Sequence, residues 1–293
     1  MKKITVFLML FATVLSAQVR VNDTKVLDLG NNAILPVFSE DGKYLLFNSM
    51  DGAKYHDLKN NETQVFAGTA NDYSMDMEGK IRYRVDSFVN GMRMNSVLLH
   101  DSKLNETVTI LDKKRLDIVP KITHHGIFYI EKEILKTDNT LSKTNSKPVV
   151  LSYNNGLLLY SYGTAKMMRP VGDDSFYIWP SVSPDNSMIS FVDKNDLYVI
   201  DLNGNIKFSV KEARAPKWSP DGKWIAFMRD SDDGHVFTSS DIYIVRIDDQ
   251  EIIRLTNTED RIEMSPSWSP DGTQIVCEDA ANDEFILLTL DIR

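Results

Sequence analysis

The stretch "APKWSPDGKWIAFMRD", residues 215–230, encodes a strand, a tight turn and a second strand. Pro220 pre-sets the φ angle that the second position of such a turn needs, and Asp221 can hydrogen-bond to its own backbone. Gly222 adopts a positive φ without steric cost. An apolar run of strand length, from Trp224 to Met228, follows the turn. The stretch therefore predicts an antiparallel β-hairpin.

The same pattern recurs along the chain. It is clear in "SPSWSPDGTQIVCED" (265–279), in "PVFSEDGKYLLFNSMDG" from residue 36 and in "PSVSPDNSMISFVDKNDLYVIDLNGNIKFSV" from residue 180, where Asn186 replaces the turn glycine. Asn is the residue next best suited to a left-handed position. Two weaker copies are "YSMDMEGKIRYRV" from residue 73 and "PKITHHGIFYIEKE" from residue 120. The chain thus shows six units, which start near residues 36, 74, 120, 180, 216 and 266.

Each unit continues beyond the hairpin. In the unit at residue 216, further strands are predicted at "DIYIVRID" (241–248) and "EIIRLTN" (251–257), so one unit forms a sheet of four antiparallel strands. Six units average roughly 46 residues, which is the size of a propeller blade. We therefore predict an all-β fold, a six-bladed β-propeller that occupies residues 18–293 as a single domain.

The two ends of the chain predict how the ring closes. The last unit stops after "EFILLTLDIR" (284–293), without its outer strand, and "VNDTKVLDLGNN" (21–32) has the pattern of such a strand. We expect residues 25–29 to pair with residues 284–290. Closure of this kind removes the exposed edges that an open sheet must otherwise protect.

The first residues have the pattern of a targeting segment. "MKKITVFLMLFATVLSAQ" combines two lysines, an apolar run and small residues at Ser16 and Ala17, which is typical of a secretory signal peptide over residues 1–17. The alternative is a first core strand; the run is too short to span a bilayer. No cysteine lies near the cleavage position, so we expect no lipid anchor. Export without an internal disulfide, since Cys277 is the single cysteine, predicts a bacterial periplasmic or secreted protein.

Charge limits the classes of partner. The chain is 42% hydrophobic, which allows a large core, and its formal net charge is −9. An acidic surface argues against nucleic acid or an anionic membrane as the main partner.

The repeats "PKWSPDGKWIAF", "PSWSPDGTQIVC", "PSVSPDNSMISF" and "PVFSEDGKYLLF" resemble the TolB-type β-propeller repeat. They are also similar to the propellers of prolyl-oligopeptidase-like and dipeptidyl-peptidase-like proteins. The resemblance covers nearly all of the chain after residue 17 and implies a six-bladed propeller that acts in the cell envelope. It is specific for fold rather than function, because the matching residues build turns. The α/β domain of TolB and the hydrolase domain of the propeller peptidases have no counterpart in this sequence.

No catalytic motif is present. The sequence lacks G-x-S-x-G, a P-loop, G-x-G-x-x-G and H-E-x-x-H. His124 and His125 are adjacent in a turn-like segment, so their side chains point apart and are poorly placed to bind one metal ion. Residues 230–235, "DSDDGH", have the acid spacing of half a calcium loop but lack the distal Glu. We predict no catalytic residue, no cofactor and no metal.

Irregular connections indicate where binding occurs. The connections between second and third strands share one face of the ring with the connections between blades, and we call it the long-loop face; the SPDG turns lie on the opposite face, the turn face. The longest predicted loops on the long-loop face are residues 86–95, 131–147, 164–178, 229–240 and 257–264. Loops on a rigid scaffold commonly carry recognition. Trp179 starts an inner strand near the predicted channel opening and is the tryptophan that we expect to bind a ligand; Trp218 and Trp268 are expected to pack between blades.

Four arginines precede inner strands in four different units: Arg115, Arg169, Arg214 and Arg261. In a closed ring they converge on one channel mouth, where guanidinium groups can bind a carboxylate of a partner. We expect the nearby acids Asp117, Asp173 and Glu263 to pair with some of them. The alternative is internal salt bridging that only neutralises the rim.

The sequence therefore predicts an exported, non-enzymatic binding propeller that recognises an envelope protein or peptide on the long-loop face. Two alternatives remain. One is an enzyme that acts on a polysaccharide or peptide in the channel, with paired carboxylates such as Asp173 and Asp174 or Glu259 and Asp260 as acid and base. The other is a purely structural subunit of an envelope assembly.

Overall fold

The computed structural model describes residues 19–30, 32–123, 126–137, 147–161 and 163–292. These residues form 26 strands joined by turns and loops. The strands group into seven antiparallel sheets, the blades of a β-propeller. The predicted signal peptide and the His124–His125 pair lie outside the described residues. Among the described residues no helix has the length and apolar character needed to cross a membrane.

The strands follow the chain from blade to blade. β1 (Val19–Leu27) belongs to the last blade. The first blade contains β2 (Ile34–Phe38), β3 (Tyr44–Ser49), β4 (Gly52–Asp57) and β5 (Glu62–Ala67). The second contains β6 (Asp72–Met75), β7 (Lys80–Val89), β8 (Met92–Asp101) and β9 (Glu106–Lys114). The third contains β10 (Lys121–Thr123), β11 (Gly126–Glu131) and β12 (Ile134–Thr137).

The fourth blade contains β13 (Val149–Ser152), β14 (Leu157–Ser161) and β15 (Thr164–Met168). The fifth contains β16 (Ile178–Val182), β17 (Met188–Asp193), β18 (Asp196–Asp201) and β19 (Ile206–Val210). The sixth contains β20 (Arg214–Trp218), β21 (Trp224–Asp232), β22 (Phe237–Arg246) and β23 (Ile252–Arg254). The seventh contains β24 (Glu263–Trp268), β25 (Gln274–Asp279) and β26 (Glu284–Ile292), completed by β1.

The N-terminal strand closes the ring, as predicted. β1 pairs antiparallel with β26, so that Lys25 lies opposite Leu287 and Leu27 opposite Phe285. Leu27 is buried in a cluster that also contains Phe47 of the first blade. The closing strand therefore contributes hydrogen bonds to the seventh blade and apolar contacts to the interface with the first.

The prediction of six blades is wrong, because residues 147–168 form a blade of their own. Its hairpin turns at Asn154-Asn155-Gly156, and both asparagines have positive φ, 47° and 52°. This two-residue turn of left-handed residues serves the same purpose as SPDG with a different sequence. A repeat search keyed on SPDG passes over it, so two blades were merged into the unit at residue 120.

The SPDG turns share one set of contacts. In the sixth blade Ser219 Oγ donates to Asp221 Oδ1 at 2.6 Å and accepts from the Trp224 N–H at 3.0 Å. Gly222 has φ +71°, and a Cβ at this position would lie 3.6 Å from Pro184 of the fifth blade. The glycine of each following turn packs in the same way on the preceding proline: Gly272 on Pro220 and Gly42 on Pro270. The turns therefore also connect neighbouring blades.

Two of the predicted long loops are strands. Residues 86–95 and 229–240 lie mostly in the hairpins β7–β8 and β21–β22, which contain strands of nine or ten residues, whereas β3 and β4 contain six. The additional residues extend these hairpins on the long-loop face by on the order of 10 Å. Their tips expose large apolar side chains: Phe88, Val89, Met92, Val236 and Phe237.

Candidate functional site

The inner strands of four blades share a strained residue directly before a proline. Leu35, Trp179, Ala215 and Ser265 have φ between +50° and +56°, and each is followed by proline. The pairing register shifts at this point in β2, β16, β20 and β24, which marks a bulge. Such residues cost on the order of 1–3 kcal/mol each and cluster at ligand sites. We call these four residues the mouth, because they lie where the inner strands begin.

Leu35 shows how the strain at the mouth is maintained. Its N–H donates to Glu278 Oε2 at 2.8 Å, and its carbonyl accepts from the Tyr73 hydroxyl at 2.6 Å. Burial raises the pKa of Glu278 and the pKa of Tyr73. Both partners are therefore costly to leave unpaired, and together they hold the Leu35 backbone from the seventh and the second blade. The Leu35 side chain itself is 44% exposed.

Three charged residues from three inner strands face one another inside the ring. Asp72 lies on β6, Lys121 on β10 and Lys217 on β20. Their charges act on one another, although no ion pair joins them within 4.0 Å among the described residues. The Asp72 carboxylate accepts a hydrogen bond from the Ile122 N–H, and Lys121 Nζ donates to the Pro180 carbonyl at 2.8 Å. We call this group the channel triad.

The residues of the channel triad differ in solvation: Asp72 and Lys121 are half-buried, and Lys217 is exposed. Burial raises the pKa of Asp72, although Arg84 and the two lysines oppose this shift. Burial also lowers the pKa of Lys121 to about 8, and it lowers the pKa of Lys217. Lys217 is nevertheless an exposed residue, so its ammonium is better solvated than that of the half-buried Lys121. A lowered pKa and exposure to solvent occur together for a group that faces an internal channel, because water is present there but protein surrounds the charge.

Carboxylates of the seventh blade form a second buried group. Glu263 is fully buried; its Oε1 accepts from Thr258 Oγ1 at 2.8 Å, and its Oε2 has no hydrogen-bond partner among the residues that the structure describes. Burial raises its pKa, and the charges of Asp241 and Asp279 act in the same direction. Asp279 accepts from the Ile262 and Ala281 N–H groups. This group holds the loop between β23 and β24 in place.

In the structure each of the four predicted arginines has a partner of its own. Arg115 is exposed and donates to the Met92 sulfur at 3.2 Å. Arg169 pairs with Asp173 at 3.1 Å, within the same loop. Arg214 pairs with Asp230 of its own blade at 2.8 Å and also donates to Asn195 Oδ1 of the fifth blade at 2.7 Å. Arg261 pairs with Asp279 at 3.7 Å.

The other predicted residues have varied environments. Trp179 lies at the mouth and is 48% exposed. Asp117 accepts from the Glu133 N–H at 2.7 Å and lines a cleft of about 580 Å³ with Lys132 and Tyr153. Two further clefts, of about 280 Å³ and 710 Å³, lie beside Gly79 and Gly272 on the turn face, away from the channel triad.

The calcium-like segment at residues 230–235 forms the tip of the β21–β22 hairpin. Asp232 accepts from the Gly234 N–H, and Asp233 accepts from the His235 and Val236 N–H groups, so these carboxylates fix the turn. Within the described ranges, no three His, Cys, Asp or Glu side chains lie together in a way that could hold a metal ion. Cys277 is fully buried, and burial raises the pKa of its thiol, as fits a packing role.

Sequence reasoning missed the channel triad, although a signal for two of its members exists. Lys121 and Lys217 each follow the proline of an inner strand, in "PKIT" and "PKWS", where other units have "PVF" or "PSW". In these two units the residue after the proline belongs to the channel triad. A charged residue at that position in two repeats is therefore a marker of the channel. Asp72 carries no such marker, because its unit has no proline.

Comparisons with known proteins agree with this architecture. Residues 163–281 match the family model of the PD40 TolB beta propeller domain, which confirms the TolB-type repeat over that segment. The fold is similar to that of a solved structure described as oligogalacturonate lyase in complex with manganese, with 14% sequence identity and a TM-score of 0.51. That likeness covers 89% of this chain and 78% of the other. At this identity it shows the fold alone. No curated protein matches the sequence.

Proposed function

We propose that this chain is an exported binding propeller of the cell envelope, which recognises a peptide or a segment of a protein at the mouth of the channel. The observation that carries the proposal is the geometry of Trp179. A bulky residue is held in left-handed backbone with about half of its surface exposed, at the start of an inner strand. Strain of this kind persists only where the surrounding structure enforces it.

Trp179 has the properties of a recognition residue. Tryptophan is enriched among the residues that dominate binding energy, because its large rigid surface loses little entropy when it becomes buried. Leu35 adds exposed apolar surface at the same mouth. The tips of the two extended hairpins, with Phe88 and Phe237, stand on the same face and supply further apolar contacts.

The proposal is tested with the protein purified by affinity from an envelope extract. A partner that copurifies with the wild type is identified, produced separately and titrated calorimetrically against two variants. Trp179→Ala should weaken binding by about 2 kcal/mol, the cost of a typical hot spot. Met77→Ala is the control, since Met77 is also apolar and exposed but lies on the turn face. If Trp179→Ala and Met77→Ala bind the partner with equal affinity, Trp179 is not part of the interface and the proposal of binding at the mouth is wrong.

A second candidate is an enzyme that acts on an acidic polysaccharide. Two observations favour it: the likeness to a protein described as an oligogalacturonate lyase, and Lys121, whose pKa of about 8 makes a neutral amine available near neutral pH. The manganese of that protein has no matching set of three ligands among the described residues of this chain. We therefore derive no step through a metal.

Incubation with oligogalacturonate, with and without manganese, tests this candidate. A lyase produces a carbon–carbon double bond that absorbs ultraviolet light, and a hydrolase produces new reducing ends. Turnover that disappears in Lys121→Met would replace the binding function with this one. Absence of both products at high enzyme concentration would leave the binding function as the better account.

A further inference from the structure

The channel triad contains more positive than negative charge. Lys121 and Lys217 supply two ammonium groups and Asp72 supplies one carboxylate, in a protein with a net charge of −9. The Lys121 ammonium donates to a backbone carbonyl, that of Pro180. The Lys217 ammonium has no hydrogen-bond or ion-pair partner among the described residues, although its backbone carbonyl accepts from Trp268 Nε1. One positive charge therefore remains uncompensated inside the ring.

An uncompensated, poorly solvated ammonium is costly. Burial disfavours the charged form of Lys121, whereas Lys217 is exposed and its ammonium has no partner among the described residues, so local stability does not explain why the two lysines lie together. The triad also spans blades that are distant in sequence, since Asp72 and Lys217 lie on the second and the sixth blade. An anion that enters the channel would make charge-assisted hydrogen bonds to the ammonium groups and offset this cost.

We propose that the channel seats one carboxylate of the bound peptide between Lys121 and Lys217. This inference rests on the binding function proposed above and names the chemical group that the same site recognises. One carboxylate brings the total charge of the triad and its ligand to zero. Asp72 limits the seat to a single acid, because a second carboxylate would face its negative charge. The exposed indole of Trp179 then contacts the part of the peptide that remains at the mouth.

Short peptides with blocked ends test the charge requirement. Acetyl-triglutamate amide and acetyl-triglutamine amide have nearly the same shape and differ in charge. Isothermal titration calorimetry at neutral pH and low salt should show about ten-fold tighter binding of the glutamate peptide, the value of one charge-assisted hydrogen bond. Acetyl-trialanine with a free carboxyl end, compared with its amide, separates a chain terminus from an acidic side chain. Equal binding of the charged and the neutral member in both pairs would overturn the proposal.

Three variants assign the effect to the channel. Lys217→Met should weaken binding of the glutamate peptide by about ten-fold, whereas Lys217→Arg, which keeps the charge, should restore most of it. Asp72→Asn should tighten binding, because it removes the negative charge that opposes the ligand. Lys223→Met is the control, since Lys223 is an exposed lysine of the turn face. Weaker binding by Asp72→Asn, at an unchanged melting temperature, would contradict the proposed seat.

Two further results distinguish this inference from the function on which it rests. If Trp179→Ala loses the partner but Lys217→Met retains it, the mouth binds and the channel seat is wrong. If oligogalacturonate binds more tightly than the glutamate peptide and competes with it, the carboxylate belongs to a polysaccharide and the peptide assignment is wrong. Binding of the glutamate peptide that depends on Lys217 and on Trp179 together supports both proposals.

Discussion

Lys121 Nζ donates a 2.8 Å hydrogen bond to the Pro180 carbonyl and so joins the inner strand of the third blade to that of the fifth. The bond is made by an ammonium group whose pKa burial lowers to about 8, from an ordinary value of 10.5. A charged lysine thus ties together two blades that are not consecutive, at the cost of desolvation. The balance between these two effects depends on pH.

The first prediction concerns this lysine. The unfolded chain holds the Lys121 proton up to a pH near 10.5, but the folded protein releases it near pH 8. Between these values the unfolded state binds more protons, so this residue makes stability rise with pH across that window. Lys121→Met removes the desolvated charge and should stabilise the protein at neutral pH by on the order of 1–2 kcal/mol, after loss of the hydrogen bond.

Urea unfolding of wild type and Lys121→Met at several pH values measures this difference. The gain from the substitution should shrink as the pH rises from 8 to 10.5. Lys223→Met, on the exposed turn face, should show no comparable pH dependence. A gain for Lys121→Met that stays constant over the same range would mean that the ammonium is not desolvated in the folded protein.

A second prediction concerns Glu263, which is fully buried and whose Oε2 has no hydrogen-bond partner within the described part of the chain. Burial raises its pKa above the ordinary 4.5, so the folded state holds the proton more tightly than the unfolded state. This residue therefore stabilises the fold below pH 4.5, and that contribution is lost as the pH rises through the raised pKa. Glu263→Gln should stabilise the protein by about 1–3 kcal/mol at neutral pH, because it removes an unsatisfied buried carboxylate.

Melting temperatures measured at neutral and at acidic pH test the prediction for Glu263. Melting temperatures of Glu263→Gln and wild type should converge below pH 4.5, where both side chains are neutral. Glu259→Gln, an exposed neighbour in the same loop, should leave both temperatures unchanged. Destabilisation by Glu263→Gln at neutral pH would show that the carboxylate has a partner, such as a bound cation, in solution.

Local chemistry made much of the fold predictable. Gly222, Gly272 and Asn186 all have positive φ, as the SPDG pattern predicted, and β1 pairs with β26. These features depend on turn residues and apolar strand patterns, which can be recognised within a short segment of the sequence without knowledge of the rest of the fold. The fourth blade was missed because its turn, built on Asn154 and Asn155, achieves the same geometry with other residues.

The site was less predictable because its geometry depends on the whole ring. The channel triad brings together residues 72, 121 and 217, and no local pattern reveals that their charges face one another. The predicted arginines illustrate the converse. Arg214 lies in the stretch that leads into an inner strand, but its guanidinium is held by Asp230 on the neighbouring strand at 2.8 Å and by Asn195 of the fifth blade at 2.7 Å. The position of an arginine within the repeat predicts the face of the ring on which it lies. The side chains next to it in the folded protein determine which group it contacts.

The third prediction tests ring closure by a pair of adjacent residues on β1. Leu27 is 6% exposed and packs with Phe47 and Phe285, whereas Val26 is 40% exposed. Leu27→Ala should cost about 2–4 kcal/mol through the cavity that it leaves between the seventh and first blades. Val26→Ala should cost less than about 1 kcal/mol. Similar small effects on the free energy of unfolding would show that β1 does not seal the ring in solution.

The fourth prediction concerns the turn glycines. Gly222 has φ +71°, and a Cβ there would meet Pro184 at 3.6 Å, which is ordinary van der Waals contact. The cost of a substitution therefore arises from the backbone and not from a clash. Gly222→Val should destabilise the protein by about 1–3 kcal/mol, and Gly222→Asn by clearly less, since Asn tolerates the left-handed region. Chemical denaturation that ranks both variants equally would instead point to steric contact as the cause.

The last prediction separates internal pairing from binding at Arg214. Arg214 Nη1 lies 2.8 Å from Asp230 Oδ2, and the Asp230 side chain is 3% exposed. Burial raises the pKa of Asp230 while Arg214 lowers it, so the carboxylate depends on this guanidinium. Arg214→Glu places a second negative charge beside a buried one and should destabilise the protein by about 3–5 kcal/mol.

Arg115 provides the control because it is exposed and contacts only the Met92 sulfur among the described residues. Arg115→Glu should leave the melting temperature within the error of the measurement. A double variant, Arg214→Met with Asp230→Leu, should recover much of the stability that Arg214→Glu loses, since a buried ion pair can be replaced by apolar side chains at little cost. If Arg214→Glu has the melting temperature of the wild type but fails to bind the partner, the guanidinium serves recognition. The ion pair with Asp230 then contributes little to stability.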